Sequence, residues 1–183
     1  MRRLGNVLQA RVLAWLERTL LLRSERLQRF LVVHHLGAFR ALLARLDQPP
    51  RRVAVVGGGL FPRTVLVLRE LLPTSELVVI DASEANVAIA QEFLTGTVDG
   101  TRGVSFVVGW FEPERAQGFD LVVIPLGFAG DRDALYEDRL SSRPATVIHD
   151  WAWRRRGDAS ECVGGFLFRR LNLVTAADRL VSA

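Results

Sequence analysis

The 183-residue chain contains no lysine: all 24 of its basic side chains are arginine. With 20 acidic residues the formal net charge is only +4, and there is one tyrosine. Little titrates between neutrality and the guanidinium range, so the isoelectric point of about 10.7 does not mark a nucleic-acid binder. The missing lysine also excludes a phosphate-binding P-loop, which ends in Gly-Lys followed by Ser or Thr. A single cysteine, Cys162, excludes an internal disulfide framework and a multi-cysteine zinc site. No apolar run reaches the length of a membrane span. The basic start does not read as a signal peptide, because Arg11, Glu17 and Arg18 interrupt any apolar segment. What remains is a cytoplasmic-type chain, 49% hydrophobic and 24% charged, long enough for one domain with a real core.

Residues 4–46 read as two amphipathic helices. Leu8, Val12, Trp15, Leu16 and Leu20 recur at helical spacing, as do Leu27, Phe30, Leu31, Leu36, Phe39 and Leu43 after Ser24. Their apolar stripes are expected to cover the core near the carboxyl edge of a sheet, shaping access to a site there. The alternative is a peripheral contact with anionic lipid at the inner face of a membrane, since arginines flank both stripes. His34 and His35 are neighbours and cannot share a helix face, so they do not read as a metal pair. Pro49-Pro50 ends the helix. It divides the chain into a helical appendage at 1–48 and a second unit at 49–183.

Beyond the prolines, strands alternate with helices. Strands are expected at 53–56, 77–80, 104–108, 121–124 and 145–148. Helices are expected at 64–72, 84–94 and 131–140, the second capped by Ser83. Alternation of this kind implies an α/β, Rossmann-like doubly wound sheet. The fourteen residues between the fifth strand and the apolar run 163–168 read as a loop, without the helix that a parallel crossover usually includes. That run is therefore expected to pair antiparallel with the fifth strand, giving five parallel strands and one antiparallel edge.

In such sheets ligands bind outside the carboxyl ends of the strands, where strand order reverses. Three features gather there. The first is Val56-Gly57-Gly58-Gly59-Leu60-Phe61-Pro62-Arg63-Thr64, whose glycines permit a tight turn and close backbone approach. The second is Asp81, which closes the second strand and can accept both hydroxyl protons of a ribose. The third is the loop Pro125-Leu126-Gly127-Phe128-Ala129-Gly130. The turn lacks the third glycine of the dinucleotide fingerprint, where Pro62 stands.

Residues 51–150 resemble the class I S-adenosylmethionine-dependent methyltransferases. The resemblance rests on VAVVGGG, LVVIDAS, EANVAIAQEFL and FDLVVIP. It implies S-adenosylmethionine as cofactor, with Gly57 and Gly59 against the methionine portion and Asp81 on the ribose. Gly58, Phe61, Pro62, Thr64, Ala82, Gly109, Trp110, Pro125, Leu126 and Gly127 complete the expected cofactor lining. The sequence departs from the family's pattern at Val55, Phe61 and Trp110, the last standing where an acidic residue often lies beside the adenine. Trp110 then reads either as an adenine wall or as a core aromatic. The turn is also similar to that of nicotianamine synthase, a relative that transfers the aminocarboxypropyl group of the same cofactor.

Displacement at a sulfonium needs alignment and desolvation, and a base only if the acceptor must lose a proton. His149, Asp131 and Tyr136 are the candidates at the strand ends, His149 first because it titrates near neutrality. Trp151 and Trp153 alternate on one strand face and read as an acceptor wall or as core. The leading expectation is methyl transfer to a small-molecule acceptor. The alternatives are aminocarboxypropyl transfer and a non-catalytic Rossmann-like module at a membrane surface or a partner protein. No nucleic-acid partner and no metal are expected, and an oligomer is compatible with the sequence.

Overall fold

The computed structural model describes residues 24–57, 61–97, 101–128, 130–137, 144–153, 160–166 and 169–175. The first expected helix lies outside them. Five strands run parallel: β1 (Arg52–Val56), β2 (Glu76–Asp81), β3 (Val104–Val108), β4 (Leu121–Ile124) and β5 (Ala145–Trp151). Two more, β6 (Ser160–Phe166) and β7 (Arg169–Val174), form an antiparallel pair, and the sheet order is β3-β2-β1-β4-β5-β7-β6. Strand order reverses between β1 and β4, which opens a crevice at their carboxyl ends.

The described helices are α1 (Glu25–Leu43), α2 (Arg63–Leu71), α3 (Glu84–Thr95) and α4 (Arg132–Glu137), with a 3₁₀ helix at Pro113–Gly118. Ser24 and Ser83 cap α1 and α3, their hydroxyls accepting from the Leu27 and Asn86 amides. The period-two pattern of the strands sorts the core into two layers. Val53, Val55, Val79, Leu121, Val123, Val147, Leu171 and Leu173 face one side. Ala54, Val56, Val122, Ile124, Ile148 and Val174 face the other.

The expected edge is corrected. The run around 163–166 does not pair with β5; it forms the outer strand β6, and β7 lies between them, antiparallel to β5. Two physical reasons account for the miss. Arg169-Arg170-Leu171-Asn172-Leu173-Val174 alternates polar and apolar residues and hides a central strand. Moreover, β6 does not need a helical crossover to lie parallel to β5. Ser160 sits level with Thr146 through Val174, so the link from Trp151 must return about 17 Å along the sheet and 10 Å across it. Nine chain steps reach roughly 30 Å.

α1 ends at Leu43, six residues before Pro49, and the proline pair does not separate it from the sheet. Phe39 and Leu42 are fully buried in the same apolar cluster as the strands. Ala38 packs over Gly164, and Arg45 forms an ion pair with Glu161 near the start of β6. The helix therefore runs against the strand direction, with its amino-terminal half toward the carboxyl edge of the sheet. Its last ten residues before His35 span about 15 Å, whereas β5 continues only two residues past His149. No helix of the described residues is long and apolar enough to cross a membrane.

Candidate functional site

The strand ends of β3, β2, β1 and β4 form one rim. At β1, Gly57 has φ +65°, and its amide donates to the Ile80 carbonyl at 2.7 Å. A Cβ at Gly57 would stand 3.1 Å from Pro125 Cγ and in a backbone region L residues rarely adopt, so this position requires glycine. The β1 turn and the β4 loop thus meet directly across the switch point. Gly58 and Gly59 lie outside the described residues. Phe61 and Pro62 are buried at the start of α2, with Phe61 edge-on to Phe93 at 5.2 Å. Thr64, on α2, is half-buried.

Asp81 closes β2. Its Oδ1 accepts from the Ser83 amide at 2.9 Å, and its carbonyl accepts from the Gly109 amide at the end of β3. Ala82 is exposed beside it. Trp110 is 74% exposed, so it is not a core aromatic; it stands at the rim as a free indole face. A side chain at Gly109 or Gly127 would meet nothing within 4 Å, which leaves open space on both flanks. Pro125, Leu126 and Gly127 are half-buried. An acidic group, two uncrowded glycines, an exposed indole and a glycine-only turn along one edge suit a nucleoside with a charged tail.

The three candidates for a base are placed differently from what their sequence positions imply. His149 lies on the face beneath α1, its ring 4.9 Å from His35 and 5.9 Å from Phe39. Burial, together with His35, Arg63, Arg132 and Arg169, holds its imidazole well below the ordinary range. It is neutral and covered, which removes the reason for choosing it as a base titrating near neutrality. Tyr136 is buried; its hydroxyl donates to Asp150 Oδ2 at 3.0 Å and accepts from Asn172 Nδ2 at 2.8 Å. Burial, then the Asp150 charge, pushes its phenol up to about 12, so it ties α4 to β5 and β7. Asp131 is exposed and caps α4, its Oδ1 accepting from the Asp133 and Ala134 amides. None of the three faces the rim as a prepared base.

Two features escaped the sequence. Arg132 is 3% exposed and ties the β4 loop to β5, donating to the His149 carbonyl at 2.9 Å, the Leu126 carbonyl at 2.6 Å and the Pro125 carbonyl. Arginines usually lie at the surface, so no pattern marks one that is buried. The other is the pairing of His35 with His149, 114 positions apart, which only the packing of α1 creates. Trp151 and Trp153 stack with each other at 4.9 Å and 12°, and Trp153 stays 69% exposed. Among the described residues, no group of three or more histidine, cysteine or acidic side chains is placed to hold a metal ion.

No protein-family model matches the sequence, and no curated protein matches it significantly. Solved structures do. A single-site variant of MtNAS, a nicotianamine synthase, superimposes with a TM-score of 0.58 at 14% identity, covering 93% of this chain and 69% of that one. A methyltransferase from Geobacter sulfurreducens matches at 0.54 and 20% identity over 77% of this chain and 78% of its own. The plantazolicin methyltransferase BpumL, in complex with a monoazolic analogue and SAH, matches at 0.53 and 17% over 82% and 63%. At these identities the shared property is the fold. The chain has the fold of the class I S-adenosylmethionine-dependent methyltransferases.

Proposed function

We propose that this chain is an S-adenosylmethionine-dependent transferase, and that it moves a methyl group to a small-molecule acceptor. The observation that carries this is the shared rim. Trp110, Asp81, Gly57 and Pro125 stand at the carboxyl ends of four adjacent strands, with the carboxylate one strand away from the glycine turn. Asp81 would accept from the ribose hydroxyls, Trp110 would flank the adenine, and the Gly57 turn would let the methionine portion approach the backbone. When bound, the sulfonium cofactor supplies an activated carbon to the acceptor. The protein's part is to align the two and exclude water. The MtNAS variant has also been crystallised with S-adenosylmethionine, and BpumL with SAH, which supports the same ligand class here.

Aminocarboxypropyl transfer is the second reading. It is favoured by the fuller match to MtNAS, 93% of this chain against 77% for the Geobacter enzyme, and by Pro62 in the turn. MtNAS has been crystallised with MTA and tNA. Calorimetry with S-adenosylhomocysteine tests the shared premise, and saturable heat is expected. No heat and no thermal shift at millimolar ligand would remove both readings. S-Adenosylhomocysteine as the by-product identifies methyl transfer; methylthioadenosine identifies the alternative.

A further inference from the structure

Buried polar atoms in folded proteins nearly always have hydrogen-bond partners, so clustered exceptions need a cause. Three such ring nitrogens, His35 Nε2, His149 Nε2 and Trp151 Nε1, are buried without one. They gather at the carboxyl end of β5 on the face that α1 covers. The two imidazoles lie 4.9 Å apart, and Trp151 follows His149 two residues along the same face. Arg169 places its guanidinium 5.7 Å from the Trp151 ring. The charges that bear on the imidazoles are all positive, from Arg63 and Arg169 on both and Arg132 on His149. Arg63 opens α2, directly after the glycine turn, so the cluster adjoins the rim.

We propose that this cluster is the subsite for an oxyanion of the acceptor, a carboxylate or a phosphate. The assignment of that oxyanion to an acceptor rests on the transferase reading above. An indole N–H only donates, and a neutral imidazole protonated at Nε2 also donates there. The indole donor, joined by each imidazole in its Nε2–H tautomer, lies among arginine charges and calls for an acceptor atom carrying negative charge. With α1 seated, the nitrogens are covered, so the ligand enters by displacing the part of α1 ahead of His35, while Phe39, 4.9 Å from the His35 ring, keeps that imidazole in place. That part is the less anchored one: Leu27, Phe30 and Val33 are 37%, 45% and 59% exposed, whereas Phe39 and Leu42 are fully buried.

The intact chain, titrated with benzoate, benzamide or inorganic phosphate, tests this through tryptophan fluorescence and the histidine ring signals in NMR. Benzoate, phosphate or both should saturate, and neutral benzamide should bind at least about tenfold more weakly, the discrimination expected of charge-assisted bonds. Saturation by benzoate alone identifies a carboxylate source and by phosphate alone a phosphate source. Bound S-adenosylhomocysteine should leave the response in place; displacement by it would assign the cluster to the cofactor's own carboxylate and overturn the proposal. His149→Phe and His35→Leu should keep the fold, because apolar groups replace unsatisfied polar atoms, and should lose the oxyanion response about tenfold or more. Arg169→Gln repeats the test at a half-buried position if either core variant fails to fold. No saturable response to either anion, equal response to benzamide, or unchanged binding in the variants would overturn the subsite. Heat from S-adenosylhomocysteine is read separately. A chain that binds the cofactor product but ignores the anions loses the subsite and keeps the transferase reading; a chain that binds the anions but not the cofactor product keeps an oxyanion site and loses its assignment to an acceptor.

Discussion

The two halves of the sheet solve different problems. In β3-β2-β1-β4, parallel strands alternate with crossovers, and the polar features at the rim are backbone turns and one capped carboxylate. In β5-β7-β6, a late hairpin inserts beside β5, and polar side chains are packed deep: Arg132, His149, Asp150 and Asn172 are all buried. The first half needs only local chemistry, a glycine able to adopt positive φ and an acid at a strand end. The second depends on groups brought from distant parts of the chain. A regular half suits a shared cofactor, and an irregular half with unmet hydrogen bonds suits whatever differs between relatives.

The comparison can be broken most sharply at α1, which belongs to the second half's cover. Phe39→Ala should destabilise the whole chain by about 3–5 kcal/mol, because a fully buried ring leaves a cavity in the common core. Urea unfolding measures it. A cost under about 1 kcal/mol would show that residues 24–48 are a detachable appendage after all. In the first half, Asp81→Ala should weaken S-adenosylhomocysteine binding by roughly 1.5–3 kcal/mol for each charge-assisted ribose bond lost. Its fold should survive, with a modest loss from the missing bond to Ser83. Equal affinity in the two proteins would reduce Asp81 to a turn cap.

Gly57→Ala should cost about 1–2 kcal/mol in stability from the left-handed backbone alone, and its Cβ would press on Pro125. Thermal unfolding and cofactor calorimetry together separate strain from lost contact.

The smallest effect concerns pH. Burial first, then Arg63 and Arg169, lowers the His35 imidazole to about 3, and His149 is also lowered. The folded chain therefore binds fewer protons than the unfolded one. The associated stability is complete above the unfolded value of about 6.5 and declines as pH falls from there toward the folded values. Between pH 7.5 and 6 the loss should be slightly under 1 kcal/mol per imidazole, and His149→Phe should remove one share. A urea midpoint that stays flat over that span would show that the imidazoles are hydrated.

What was legible in the sequence follows the same division. The five parallel strands, the Ser83 cap, the glycine turn and Asp81 at the end of β2 all lie where short-range patterns point. β7 was hidden because Arg169, Arg170 and Asn172 break its apolar run, although Leu171 to Val174 are all buried. The Gly164–Gly165 stretch was expected on the edge strand and is on it, one strand further from β5 than expected, where Gly164 lets α1 approach through Ala38. His149 and Tyr136 carried the right chemistry for a base on paper, but a strand-end position does not say which face a side chain takes.

By itself, then, the sequence determined the layered α/β architecture and the glycine-and-acid rim, because period-two alternation, helix caps and positive-φ glycine act over a few residues. Only the tertiary structure decided the place of β7, the neutral state of His149 beneath α1, and the burial of Arg132 between the β4 loop and β5. Those depend on desolvation and on contacts between separate elements, which reach as far as the 114 positions from His35 to His149, and no local pattern encodes either.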